Sequence, residues 1–265
     1  MTPPGAARPP RAEHLGDFTL RPRTVAITAI ALAVGGASAV AAFCLLRLIG
    51  LITNAVFYQR VSFALAAPGA RHHPPWLILL APVVGGLVVG LMARYGSEKI
   101  RGHGMPEAIE AILVGGSRVA PRVAVLKPVS AAISIGTGGP FGAEGPIIMT
   151  GGAVGSILAQ FLHLSADERK ILLVAGAAGG MAATFNAPLA SVLLAVELLL
   201  FEWRPRSLIP VVASVTVATI CRWPMLGAAP VFPVTAAVTP GAGAIGLTLL
   251  PGLTGGLLAV GATAL

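Results

Sequence analysis

Charge is what this chain most lacks. Asp, Glu, Lys and Arg make up 11% of its 265 residues, against roughly 25% in soluble domains, and a soluble domain of this length is thereby excluded. Acids number ten and histidines five, too few for a metal cluster. No HExxH, GxSxG or aspartate-rich phosphate-binding pattern occurs in the sequence, so neither enzymatic activity nor a cofactor or metal is expected. Aromatics are only 5%, which argues against a carrier that orients organic substrates on ring faces. The two cysteines, Cys44 and Cys221, sit in apolar segments without pairing or metal spacing and read as packed thiols.

What the chain does have is apolar length. It is 55% hydrophobic with a mean hydropathy of +0.86. Val25–Leu46 and Trp76–Ala93 each reach the roughly 17–25 residues a helix needs to cross a bilayer. The fold expected is all-α, a multi-pass integral membrane protein. Residues 1–23 are rich in Pro and Arg and read as a disordered tail; no cleavable signal is expected. Residues 24–265 then form one transmembrane domain. Arg8, Arg11, Arg21 and Arg23 precede the first span, and Arg94, Lys99 and Arg101 follow the second. By the positive-inside rule the amino terminus is cytoplasmic, in the plasma (inner) membrane. The net charge of +8 is assigned to these membrane edges rather than to nucleic acid.

After the second span the pattern changes to short helical pieces punctuated by GHGMP, GTGGP, GAEGP, FNAP and EWRP. Few of them could cross a membrane straight and alone, and broken helices survive in a bilayer only inside protein or along a water-filled path. The densest break is GTGGPFGAEGPIIMTGG, residues 136–152, whose only charge is Glu144. Three breaks share a design. Gly102, Gly104 and Pro106 precede a helix with Glu107 in its first turn, and Glu144 stands before Gly145 and Pro146. Asn186 is expected to cap a helix beginning near Pro188. Each presents free backbone N–H groups and the positive end of a helix dipole, an anion site that needs no basic side chain. A carboxylate at such a place competes with the anion it would attract, and an acid within the membrane is a functional candidate by default.

Four GxxxG spacings (Gly86/Gly90, Gly151/Gly155, Gly176/Gly180 and Gly252/Gly256) predict close helix packing. GAGAIG at 241–246 fits GxGxxG by letter but has no strand before it. The apolar stretch ending at Leu265 reads as cut in mid-helix.

These motifs, in this order over about residues 100–200, resemble the CLC family of voltage-gated chloride channels and chloride/proton antiporters. GHGMPE is similar to that family's glycine–serine–glycine–isoleucine–proline–glutamate signature. GAEGP is similar to its glycine–lysine/arginine–glutamate–glycine–proline signature, and FNAPLA to a recurrent later element. Lys127 falls where the family commonly has a lysine, and LLRLIGLITNAVFYQR is a weaker likeness. The resemblance implies the first half of an inverted-repeat fold of tilted and broken helices, truncated in its second repeat, acting as a homodimer. It implies chloride transport with Glu144 as gate and proton acceptor. Anions would bind at Gly102, His103, Gly104, Met105, Pro106, Gly142, Ala143, Gly145 and Pro146.

The departures from the family pattern leave alternatives open. His103 replaces the serine, either donating through its ring or leaving the contact to the backbone, and so unsettles anion preference. Ala143 replaces the usual base. After FNAPLA, Glu197 matches the first of two glutamates and Leu198 stands at the second, so Glu107, Glu110 and Glu197 are the candidate proton path. Channel and antiporter both remain open, as do a fluoride/proton antiporter-like branch, another secondary carrier, and a nonfunctional fragment or scaffold.

Overall fold

Helix α1, Pro22–Tyr58, is 37 residues long, about 55 Å at 1.5 Å per residue. That exceeds the roughly 30 Å of a bilayer core. Its end is fixed by Asn54, a fully buried side chain. Asn54 Nδ2 donates to the carbonyls of Gly50, Ser62 and Ala64 at 2.8, 3.1 and 2.7 Å, while Arg60 Nε donates to its Oδ1 at 2.7 Å. The chain thus turns sharply at Gln59, where φ is +50°, and runs back along the helix it has just left.

The computed structural model describes residues 22–229 and 241–263. The tail expected over 1–23 lies outside the described residues as far as 21, and Pro22 and Arg23 already belong to α1. Among the described residues nine further α-helices follow: α2 Pro75–Tyr95, α3 Met105–Leu113, α4 Pro121–Gly136, α5 Glu144–Phe161, α6 Ala166–Phe185, α7 Pro188–Leu194, α8 Pro205–Leu226, α9 Ala242–Leu247 and α10 Leu249–Thr263. No strand occurs among the described residues. Among the described residues three helices, α1, α2 and α8, are long and apolar enough to cross a membrane. Proline opens α2, α3, α4, α7 and α8 within their first two positions, where its missing N–H costs nothing and its fixed φ suits a helix.

The core is built around α6, buried on every side from Ile171 to Thr184, as a helix apolar all round must be. Glycines bring α5 against it. A methyl group on Gly151 would strike the carbonyl of Gly176, one on Gly176 the carbonyl of Gly151, and one on Gly155 the carbonyl of Leu172. The spacings Gly151/Gly155 and Gly176/Gly180 are therefore working contacts. Gly86/Gly90 and Gly252/Gly256 face open space. Helix α1 packs on α8 in the same way, with Gly35 against the Ser214 backbone, and Ser214 Oγ donates to Ala175 O of α6 at 2.8 Å.

Buried polar side chains hold the connections. Arg169 donates to Gly116 O at 2.8 Å and Leu164 O at 3.0 Å. Ser156 Oγ accepts from Val119 N at 3.0 Å and donates to Ser117 O at 2.7 Å. Together they fasten the α3–α4 turn onto α5 and α6.

Two expectations are corrected. Asn186 does not open α7. It closes α6 in the left-handed conformation, φ +56°, and its amide donates to Ala228 O and Ala229 O at 3.1 and 3.4 Å. Asn suits that backbone region, which explains why a cap was legible but its direction was not. Cys44 is exposed on the outer face of α1 rather than packed, whereas Cys221 is half-buried and packs against the core as expected.

Helix α7 runs into a π-helical turn, Ala195–Leu200, whose last carbonyl accepts from Lys170 Nζ at 2.7 Å. The chain divides after Ala229. In the second unit GAGAIG lies at helix α9 and leads straight into α10. The proline-containing stretch 229–240 lies outside the described residues from 230 on.

Candidate functional site

Two glycine loops meet at the starts of α3 and α5. The first, residues 100–104, is shaped by Lys127 of α4, a side chain 2% exposed. Its ammonium donates to the carbonyls of Ile100, Arg101 and Gly102 at 3.0, 3.3 and 2.9 Å. Three consecutive carbonyls are thereby turned toward one cation. Gly102 and Gly104 have φ of +78° and +112°, a region that disfavours any residue with a Cβ. Glu107 completes the turn, its Oε2 accepting from Gly104 N at 2.7 Å.

The second loop runs from Gly138, φ +90°, to Glu144. Gly139 N donates to Ser134 O at 3.0 Å and Phe141 N to Gly139 O at 2.8 Å. Helix α5 begins at Glu144, with Ile147 N donating to Ala143 O at 3.0 Å. The N–H groups of Gly142, Ala143, Glu144 and Gly145 have no partner among the described residues. Four free donors at a helix start make the place favourable to negative charge. The Glu144 carboxylate is half-buried and likewise has no hydrogen-bond partner among the described residues.

The loops interlock. A methyl group on Gly104 would run into the Gly145 carbonyl; one on Gly145 would run into the His103 carbonyl and come within 2.8 Å of His103 Nδ1. Beside this contact is a cavity of about 420 Å³, lined among others by Gly102, His103, Lys127, Ser134, Gly142 and Pro146. Of the residues expected to bind anions, Gly102, His103, Gly142 and Pro146 line this cavity. Gly104 and Gly145 are buried at the loop contact, and Met105, Pro106 and Ala143 flank it.

The acids separate. Glu107 is committed to the α3 cap. With Glu110 it borders a second cavity of about 480 Å³, whose wall also carries Lys99, Arg101 and Arg118. Glu197 is exposed on the π-helical turn and lines neither cavity. Ser134 was not singled out in the sequence. Its only signal is position: Lys127, Ser130 and Ser134 recur at i, i+3 and i+7 and so share one face of α4.

At the exposed end of the bundle, Glu168 in the first turn of α6 forms a two-pronged ion pair with Arg23. The guanidinium, helped by the backbone and hydroxyl of Ser165, holds the Glu168 carboxyl far below the usual range, at about 2, against some opposing desolvation.

Residues 84–265 match the family model described as voltage gated chloride channel. A ClcB-like protein of Ralstonia nicotianae is 32% identical over 155 residues, 57% of this chain and 36% of that protein. Chloride channel protein CLC-f of Arabidopsis thaliana is 31% identical over 196 residues, 69% of this chain and 24% of the relative. The H(+)/Cl(-) exchange transporter ClcA of Vibrio cholerae is 37% identical over 137 residues, 50% and 28% respectively. The chain thus spans between about a quarter and a third of the length of these curated relatives. In fold it is similar to a slow cyanobacterial Cl-/H+ antiporter of known crystal structure. That likeness has a TM-score of 0.65 at 24% identity and covers 91% of this chain and 55% of that one.

Proposed function

The chain belongs to the voltage-gated chloride channel family, and from that premise we propose that it is part of a chloride pathway running past the starts of α3 and α5, with Glu144 as its gate. It is an integral membrane protein of a family whose named relatives move chloride, some in exchange for protons. One observation carries the proposal: four N–H groups from Gly142 to Gly145 without a partner among the described residues lie beside the Glu144 carboxylate, which likewise has none there. Those donors favour a negative occupant without a fixed full charge that would trap it. The occupant is chloride or a similar small anion, and the Glu144 carboxylate is its built-in competitor. Protonating Glu144 removes the competitor and opens the place to the anion, which ties anion movement to protons.

The basic residues ahead of α1 support a cytoplasmic amino terminus in the plasma membrane, and the family resemblance supports a homodimer. Glu107 serves the α3 cap, which leaves Glu110 and Glu197 as the acids available to a proton route.

Chloride efflux and proton uptake from liposomes holding the full chain test this reading. Wild-type flux is expected to rise as the outside is acidified. Glu144→Gln is expected to conduct without that response and without proton uptake. A variant that keeps the wild-type pH response would remove Glu144 from the mechanism. Proton uptake by the wild type distinguishes exchange from simple conduction.

A further inference from the structure

The wall of the 420 Å³ cavity formed by α4 carries two polar groups that differ in how they are satisfied. Lys127 Nζ has three carbonyl partners and no carboxylate at ion-pair distance among the described residues. Its positive charge is therefore held in place without being neutralised by an ion pair. The neighbouring hydroxyls are occupied: Ser130 Oγ donates to Lys127 O at 2.9 Å, and Thr137 Oγ1, just past the end of α4, donates to Ile133 O at 2.8 Å. Ser134 stands between them in sequence and lines the cavity, and its hydroxyl has no hydrogen-bond partner among the described residues. A half-buried hydroxyl on a helix normally returns its proton to the carbonyl one turn back. This one is left free, facing a space bounded by a fixed cation.

The charge of that space selects its occupant. A cation is repelled by Lys127, and a neutral solute is held by it less strongly than an anion. An anion is attracted by the ammonium and can accept from Ser134 and His103. The volume exceeds by far the roughly 30 Å³ that one water occupies, so the cavity fits a small anion with part of its water shell.

We propose that Ser134 is a further anion contact of this protein, its hydroxyl replacing one water ligand of a chloride-class anion held beside the first glycine loop. The proposal rests on the reading of this region as an anion pathway. It adds a side-chain donor from α4 that neither glycine signature contains. Affinity, and preference among anions that differ in how strongly they accept a hydrogen bond, are then set partly by position 134.

Chloride binding to the purified full chain, measured by calorimetry with gluconate as the inert anion, tests this directly. A hydrogen bond to a charged partner justifies an expected loss of about tenfold in chloride affinity for Ser134→Ala. Ser134→Thr keeps the hydroxyl and is expected to stay within about twofold of wild type. If the alanine variant does not fold, Ser134→Cys, a weak donor of similar size, takes its place against Ser134→Thr. Equal affinity in wild type and the variant lacking the hydroxyl overturns the proposal, as does the absence of chloride binding in the wild type. Liposome flux run alongside separates the two readings. Ser134-sensitive binding without any flux overturns the transport reading alone, whereas flux with Ser134-insensitive binding overturns this one alone.

Discussion

Gly104 and Gly145 meet main chain to main chain, and a methyl group on Gly104 would occupy the space of the Gly145 carbonyl. Because of that contact α3 and α5 start at one point, although the two residues are 41 positions apart by their numbers. Their dipoles then act on the same small volume. A side chain at either place would push the two helix starts apart and let solvent between them. The breaks that cost this chain its straight helices are what allow the approach.

Gly145→Ala is accordingly expected to reduce chloride flux at least tenfold and to lower the thermal midpoint. Overpacking against backbone typically costs about 1–3 kcal/mol, and here the obstructing atoms are carbonyls that cannot rotate away. Gly142→Ala is the matched control. A methyl group there comes no nearer than 4.0 Å to Glu144 N, so the midpoint should be unchanged. Equal midpoints for the two variants, measured by fluorescence melting in detergent, would contradict the interlock.

The breaks were legible in the sequence because glycine and proline act locally: Pro106 and Pro146 sit where a helix start tolerates them, and Gly102, Gly104 and Gly138 adopt positive φ. What depends on the partner was not legible. The spacing at Gly86/Gly90 is the same as at Gly151/Gly155, yet only the second finds another backbone to touch. Asn186 is as good at closing a helix as at opening one, and only the path of the chain decides. Ser134 is one serine among several in an apolar segment. Its difference from Ser130 lies in a hydrogen bond that Ser130 makes and that Ser134 lacks among the described residues.

Acid is expected to weaken the tie between α1 and α6. Glu168 has its carboxyl depressed to about 2 by Arg23, so its stabilising contribution is complete above its ordinary value near 4.5 and is lost as pH falls from there toward 2. Arg23 is open to solvent, and screening keeps the contribution small. Melting curves between pH 7 and pH 3 should show a midpoint that falls below pH 4.5 in wild type. Glu168→Gln should start lower at pH 7 and fall less. Parallel curves for the two proteins would show that the pair contributes nothing.

Lys127→Met is expected to damage both the fold and the site, and in that order of size. The substitution keeps the length of the side chain but leaves the carbonyls of Ile100, Arg101 and Gly102 without their shared donor. Each orphaned buried carbonyl costs roughly 1–3 kcal/mol. The bonds to Arg101 and Gly102 are only partly buried, and water can partly replace the ammonium there, so a total of about 3 kcal/mol is expected. For a chain of this size that lowers the midpoint by roughly 6–12 °C. Hydrogen exchange should quicken at residues 100–108, because Gly104 and the Glu107 cap depend on the loop that Lys127 holds. Chloride affinity should fall as well, since the fixed cation at the cavity wall is gone. A variant with weakened chloride binding but unaltered exchange at 100–108 would mean that Lys127 acts on the anion by charge alone, and that the loop keeps its shape by its glycines.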